Sequence, residues 1–184
     1  EALGVKREVP SEDMNDQWSI VHGEGATSEH SVPLTPHASP LTAGLRNLLT
    51  ASVLCNGASL QQKEGSWRIL GDPTEGALLV VAAKTGLRIE QLEPTHRFLG
   101  EVPFDSERKM MTVVRRTSNG PVAYVKGAPD VLLRHCTHRL AMDGTIEPIT
   151  ESIRAAILDA NASFAHQALR VLAMARRRLD REPD

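Results

Sequence analysis

Two short segments place an aromatic or charged side chain beside turn residues, where a ligand could reach it. In residues 103–109, PFDSERK, Phe104 stands at the edge of a charged corner and Lys109 follows five residues later. An aromatic ring there could stack on a nucleobase, which stabilises binding by about 1–3 kcal/mol, and the lysine could approach a phosphate as a point charge. In residues 124–130, YVKGAPD, Lys126 stands beside Gly127, which lets a backbone or a flat ligand approach closely. On pattern alone, an inward-packed Phe104 and an exposed Lys126 at an ordinary turn remain the plainer alternatives.

A third segment, GDPTEG at residues 71–76, has a structural explanation of its own. Asp72 suits the N-cap of a helix, Pro73 its first position and Glu75 the capping-box position. Such a cap is worth roughly 0.5–2 kcal/mol without any ligand. Whether Glu75 completes a cap or contacts a ligand is therefore open at this point.

The chain carries no motif of a self-sufficient enzyme. The phosphate-binding loop GxxxxGK[ST], the dinucleotide fingerprint GxGxxG, the nucleophile elbow GxSxG and the zinc motif HExxH are all absent. Residues 135–138, HCTH, bring potential metal donors together, but no second cluster completes a four-ligand site, so packing is the favoured interpretation. We therefore predict no catalytic residue and no metal ligand in this chain.

Length and composition favour one soluble globular domain without a polyanionic partner. The chain has 184 residues, 41% of them hydrophobic and 24% charged, and a net charge of −2, so we expect no nucleic-acid binding. Two cysteines without a CxxC pair favour a reducing compartment. The longest apolar run, residues 77–83, is far shorter than the roughly 20 residues of a membrane span, so we expect no direct membrane contact. A first residue Glu rather than Met indicates a fragment, which we expect to be monomeric in isolation.

Hairpin-linked strands mixed with helices predict an α+β fold on a mainly antiparallel sheet. The predicted strands are 17–22, 59–62, 67–70, 97–104, 110–116, 122–126 and 169–175, and the main helices begin near 41, 73, 129 and 151. Asn56-Gly57 predicts the end of the first helix. Residues 1–16 are polar, and residues 23–40, with three prolines, predict an exposed loop.

Four strings in register closely resemble the nucleotide-binding domain of P-type ATPases, in its calcium-pump-like branch. They are GDPTEGALL, PFDSERKMM, YVKGAPD and ALRVLAMA, and the resemblance covers roughly residues 18–178. It implies a single domain over 1–184, built on a twisted antiparallel sheet flanked by helices. The polar ends, 1–16 and 179–184, would then lie near the hinge to a phosphorylation domain that this chain lacks.

The resemblance also implies an ATP site that holds mainly the adenosine end. Phe104 corresponds to the ring that stacks on adenine, and Glu75, with Thr74 beside it, to the acidic residue near the adenine amino group. Lys109 corresponds to a lysine that lines the site, and Lys126 and Gly127 correspond to the lysine and glycine of its floor. Arg170 corresponds to an arginine on the phosphate side. Ser106 stands where the calcium-pump branch carries an arginine, so that phosphate contact is either lost or supplied by Arg108.

The implied role is delivery of ATP, bound as Mg-ATP in the full-length protein. The γ-phosphate would meet an aspartate in a DKTGT motif of another domain, so the isolated chain is not expected to hydrolyse ATP. The implied partners are the phosphorylation and actuator domains of the same polypeptide, and the implied location is the cytoplasmic side of an integral membrane protein. The transported cation stays open. The alternative is a non-catalytic interaction or regulatory module without nucleotide affinity, suggested by the loop at 31–40 and by Ser106.

Overall fold

The α+β fold class is confirmed by the computed structural model, which describes residues 18–24, 41–63 and 66–183. The helices are α1 (Ala43–Leu54), α2 (Pro73–Lys84), α3 (Ile89–Leu92), α4 (Pro129–Leu132) and α5 (Glu151–His166), with a 3-10 turn at Leu133–His135. The strands are β1 (Trp18–Glu24), β2 (Ser59–Lys63), β3 (Ser66–Leu70), β4 (Arg97–Asp105), β5 (Met110–Thr117), β6 (Gly120–Gly127), β7 (Cys136–Leu140), β8 (Ile146–Pro148) and β9 (Val171–Arg178).

Seven of the described strands form one sheet in the order β4-β5-β6-β9-β1-β7-β8, and β2 pairs with β3 in a separate hairpin. Within the large sheet only β1 and β7 run parallel, so the predicted antiparallel character is also confirmed. Strand β1 extends through Glu24, two residues into the predicted loop, and β9 includes the three arginines at 176–178. Residues 1–16 and 25–40 lie outside the described residues, so the predictions for them are untested.

The large sheet is covered by helices on both faces, because side chains alternate along its central strands. On one face, α1 packs against Met111, Val113 and Tyr124. On the other face, α4 and α5 pack against Val114, Ala123 and Val125. A third apolar cluster joins α1 to α2 through Leu49, Val53, Leu79 and Ala82. Helix α2 is therefore held to the sheet largely through α1.

One edge of the sheet collects the ends of four strands. Asp105 at the end of β4 pairs with Met110 at the start of β5, and Met110 pairs with Gly127 at the end of β6. Gly127 in turn pairs with Ala173, near the start of β9. We call this the site edge, because most of the candidate residues lie beside these four positions.

Candidate functional site

The GDPTEG segment caps α2 as predicted, but only by half of a capping box. Asp72 is the N-cap, and its Oδ1 accepts hydrogen bonds from the backbone N–H groups of Thr74 at 2.8 Å and Glu75 at 3.1 Å. These bonds, led by that from Glu75, lower the pKa of the Asp72 carboxyl below its usual value. Gly71 makes the preceding turn with φ at +110°, where an added Cβ would also lie 2.9 Å from Ala58 Cα.

The Glu75 side chain does not return to the N-cap, so the capping-box prediction is wrong for this residue. Its Oε1 lies 2.5 Å from Lys126 Nζ, and its Oε2 accepts a hydrogen bond from the Gly57 N–H at 2.8 Å. A bond between two charged groups is stronger than one to a neutral N–H, which explains why the carboxylate turns toward the sheet. Glu75 thereby joins the start of α2 to the end of β6.

Lys126 is a buried cation rather than an exposed lysine at a turn. It is 6% exposed and lies on β6 opposite Met111. A buried ammonium is costly unless it is paired, and Glu75 supplies the counter-charge. Next to the pair, the Cys55 thiol donates to the Met111 carbonyl at 3.6 Å. Burial raises the pKa of Cys55 to about 12, so this thiol stays neutral.

Phe104 is 62% exposed near the end of β4, which excludes the inward-packed alternative. The turn that follows it is tightly ordered by Asp105, whose Oδ1 accepts hydrogen bonds from the N–H groups of Glu107 and Arg108 at 2.9 and 2.8 Å. The Lys109 N–H donates to the Asp105 carbonyl at 2.7 Å. An exposed aromatic face is thus presented next to a turn that is held by three hydrogen bonds to Asp105.

The Lys109 backbone explains why a glycine follows Lys126. Lys109 has a left-handed φ of +53°, and its carbonyl accepts a hydrogen bond from the Ala128 N–H at 3.1 Å. An added Cβ at Gly127 would lie 2.6 Å from that carbonyl oxygen and 2.9 Å from Met110 Cγ. Gly127 therefore allows the β4–β5 turn to pack directly on the end of β6, and Lys109 itself remains exposed at the site edge.

The other candidate residues differ in how they are held. Arg108 donates from Nη2 to the carbonyls of Pro103 at 3.0 Å and Met110 at 3.4 Å, so its guanidinium bridges its own turn. Ser106 is exposed in that turn, and Thr74 is partly buried beside Glu75. Arg170 is exposed, one residue before β9 and three before Ala173, which places it at the site edge.

Sequence reasoning missed the turn between α1 and β2 as part of the site. The helix ends with Cys55 as its C-cap, and the Asn56 side chain donates to the backbone carbonyl of Glu75 at 3.0 Å. Gly57 donates its N–H to the Glu75 carboxylate. The only signal in the sequence was an Asn-Gly pair after a helix, which indicates a chain reversal but not its partner in space.

These groups are of the kinds that contact a flat heterocycle with a hydrogen-bond donor and an anionic tail. The exposed ring of Phe104 offers a stacking surface, the Glu75 carboxylate accepts hydrogen bonds, and Lys109 and Arg170 supply positive charge at the same edge. Within the described ranges, no group of three His, Cys, Asp or Glu side chains is placed to hold a metal ion. In the same part of the chain, no helix is both long and apolar enough to cross a membrane.

Comparison with known proteins identifies similar chains over most of this length. A family described as the cytoplasmic domain N of P-type ATPases matches residues 44–184. The calcium-transporting ATPase 1 of Lactococcus lactis subsp. lactis (strain IL1403) is 41% identical over 128 residues, which cover 70% of this chain and 14% of that protein. The probable cation-transporting ATPase F of Mycobacterium tuberculosis (strain ATCC 25618 / H37Rv) is 37% identical over 147 residues, or 80% of this chain and 15% of that protein. The calcium-transporting ATPase of Bacillus subtilis (strain 168) is 39% identical over 134 residues, or 72% and 15%.

Proposed function

Because the chain belongs to the family of P-type ATPase cytoplasmic N domains, we propose that it is the ATP-binding domain of a cation-transporting P-type ATPase. The observation that best supports ATP as the ligand is the site edge itself. There an exposed aromatic ring and two exposed cations lie where strands of one sheet begin or end, and an acidic acceptor at the start of α2 is held beside them by a buried lysine of β6.

In this proposal the adenine ring stacks on Phe104, and its amino group donates a hydrogen bond to Glu75. The ring of Phe104 needs no rearrangement to receive a base, because it is already exposed. The Glu75 carboxylate is held by Lys126 and Gly57, so the protein's own contacts orient it for the base. Thr74 follows Asp72 in the same helix start and borders the base. Lys126 then acts on the base through Glu75, and Gly127 acts by letting the neighbouring turn approach.

The phosphates would extend toward Lys109 and Arg170, the exposed cations of the site edge. At the Ser106 position, we favour the loss of the phosphate contact over its replacement by Arg108. Arg108 already donates its Nη2 group to two backbone carbonyls of its own turn, so recruiting it for a phosphate would break those bonds. Binding would then be centred on the adenosine half of ATP.

For the whole protein we propose that this domain delivers Mg-ATP to an aspartate of a phosphorylation domain in the same polypeptide, an integral membrane pump. Positioning of this kind supplies much of the catalysis of phosphoryl transfer, and the isolated domain would bind ATP without hydrolysing it. This chain aligns with only 14–15% of the length of its relatives, so the cation is proposed from their names alone. Calcium is the first cation to test, since two of the three relatives are named for it.

The test measures ATP binding by the purified chain, with thermal shift and calorimetric titration as the two readouts. ATP should raise the unfolding temperature, because a ligand that binds only the folded state stabilises it. Phe104→Ala should weaken binding by about fivefold to 150-fold, the loss of one base–aromatic stack of about 1–3 kcal/mol. Phe98→Ala is the matched control, since Phe98 lies at the other end of the same strand, beside Arg115. Absence of any shift at saturating ATP would favour the non-catalytic module instead.

A further inference from the structure

The turn between α1 and β2 holds Glu75 at two points. Asn56 Nδ2 donates to the Glu75 carbonyl at 3.0 Å and to the Ser52 carbonyl at 3.1 Å, while its Oδ1 accepts from the Ala58 N–H at 2.9 Å. Gly57 donates its own N–H to Glu75 Oε2 at 2.8 Å. Asn56 thus fixes the backbone of Glu75, and Gly57 fixes its carboxylate.

Each oxygen of the Glu75 carboxylate has one donor that the fold supplies, because Lys126 donates to Oε1 and Gly57 donates to Oε2. A carboxylate offers about four acceptor positions, so each oxygen keeps capacity for a further donor. The two donors come from different parts of the fold, β6 and the α1–β2 turn, and together they set the plane of the carboxylate. An added Cβ at Gly57 would lie 3.1 Å from Oε2, closer than ordinary van der Waals contact. The missing side chain at this position therefore leaves Oε2 room to receive the N–H.

We propose that Asn56 and Gly57 are positioning residues that make the site selective for a 6-aminopurine over a 6-oxopurine. The inference rests on the proposed function, because it assigns the purine's 6-substituent to Glu75. An ionised carboxylate only accepts hydrogen bonds, so it pairs with an amino group and opposes a carbonyl oxygen. A polar group held in place discriminates strongly between donor and acceptor, whereas a mobile one can turn away from a mismatched partner.

A purely structural role for the turn predicts a different result. Asn56 also joins α1 to β2, so its removal lowers stability in either case. If that were its whole role, the affinities for the two purines would change by the same factor. The informative quantity is therefore the ratio of the dissociation constants for the two purine nucleotides. It is measured at a temperature where circular dichroism shows that every variant is folded.

The experiment compares ATP with inosine triphosphate, which carries an oxygen in place of the 6-amino group. Asn56→Ala should reduce the preference for ATP about threefold to tenfold, the range expected when one polar contact loses its geometry. Gly57→Ala should reduce it in the same direction, and it serves if Asn56→Ala does not fold. Asn47→Ala is the matched control. It removes an asparagine of α1, the helix that precedes Asn56, whose side chain donates to the Ala43 carbonyl and accepts from Arg176, and it should leave the preference unchanged.

A second comparison tests whether Asn56 acts through Glu75. In a Glu75→Gln background, Asn56→Ala should cause little further change in the preference, because the carboxylate that it orients is gone. An unchanged preference in both Asn56→Ala and Gly57→Ala, or an equal effect of Asn56→Ala in the two backgrounds, overturns the inference. So does wild-type protein that binds both nucleotides equally. Wild-type protein that binds neither nucleotide refutes the proposed function, and the inference falls with it.

Discussion

Replacing Glu75 by glutamine should destabilise the domain far more than an ordinary surface change. Glutamine keeps the size of the side chain but removes its charge, and its amide can accept only through one oxygen. That oxygen can serve either Lys126 or Gly57, so one of these donors faces an NH₂ group instead. Lys126 stays buried at 6% exposure and loses its counter-charge.

The expected loss of stability is about 2–4 kcal/mol. Removing one partner of a buried pair typically costs about 3–5 kcal/mol, and the Glu75 side chain is 17% exposed, which lowers the penalty. For a chain of this size, each kcal/mol lowers the unfolding temperature by about 2–4 °C, so the expected shift is about 4–16 °C. Because the pair is shielded from solvent, added salt should change the loss little.

Urea unfolding followed by circular dichroism measures the change, with Glu151→Gln as the control. Glu151 also lies in the first turn of a capped helix, but its side chain is 93% exposed and pairs with Arg154 only at 3.6 Å. We expect this control to change stability by less than about 0.5 kcal/mol. Equal losses in the two variants would refute the argument that the buried pair joins α2 to the sheet.

A double variant separates the lost charge from lost packing. Adding Lys126→Met to Glu75→Gln removes the uncompensated ammonium, and apolar replacement of buried pairs is often neutral or stabilising. The double variant should therefore be more stable than Glu75→Gln alone. If the double variant instead loses, relative to wild type, the sum of the stability losses of Glu75→Gln and Lys126→Met, the burial of Lys126 does not depend on Glu75. ATP titration of the same variants tests the ligand role of Glu75 independently, at temperatures where they are folded.

Three further predictions concern single elements of the site. Asp72→Ala should lower stability by about 1 kcal/mol at pH 7, the usual value of an N-cap. The pKa of Asp72 is lowered in the folded state, so its contribution is present above the ordinary pKa of 3.8 and is lost as the pH falls through the folded value. An equal difference between the urea midpoints of wild type and Asp72→Ala at pH 7 and at pH 3 would contradict this. Gly127→Ala should cost about 1–3 kcal/mol through overpacking against Lys109, and wild-type stability would disprove the close approach. Cys55 and Cys136, both buried with a pKa of about 12, should react with iodoacetamide at pH 8 only after denaturation.

Local patterns predicted the elements that depend on neighbouring residues. The hairpin turn at 118–120, the Asp72 cap and the helix that begins after Thr150 are all present, because turn and cap chemistry acts within a few residues. The fold class followed from the order of these elements. Even the error at Glu75 has a local origin, since its position in the helix fits a capping box and only the fold supplies Lys126 and Gly57 as stronger partners.

Long-range contacts could not be obtained in the same way. Asn56 and Glu75 are separated by 19 positions, and Glu75 and Lys126 by 51, so no periodic pattern connects them. Phe104 lies where the pairing of β4 with β5 shifts between Val102 and Asp105, and such a shift is a feature of strand pairing that residue type does not reveal. The roles of the candidate residues toward ATP stay predictions, because they depend on a ligand as well as on the fold. These residues are Thr74, Glu75, Phe104, Arg108, Lys109, Lys126, Gly127 and Arg170.

The contact between Glu75 and Lys126 changes how variants of this site must be interpreted. These two residues come from separate motifs and were both expected to touch ATP, yet they contact each other directly. A weaker affinity after Lys126 is changed would therefore arise even if Lys126 never touched the nucleotide, because Glu75 would lose its orientation. Only a variant that weakens binding without lowering stability identifies a direct contact. Phe104 satisfies that condition best, since its ring is exposed and its removal leaves the core intact.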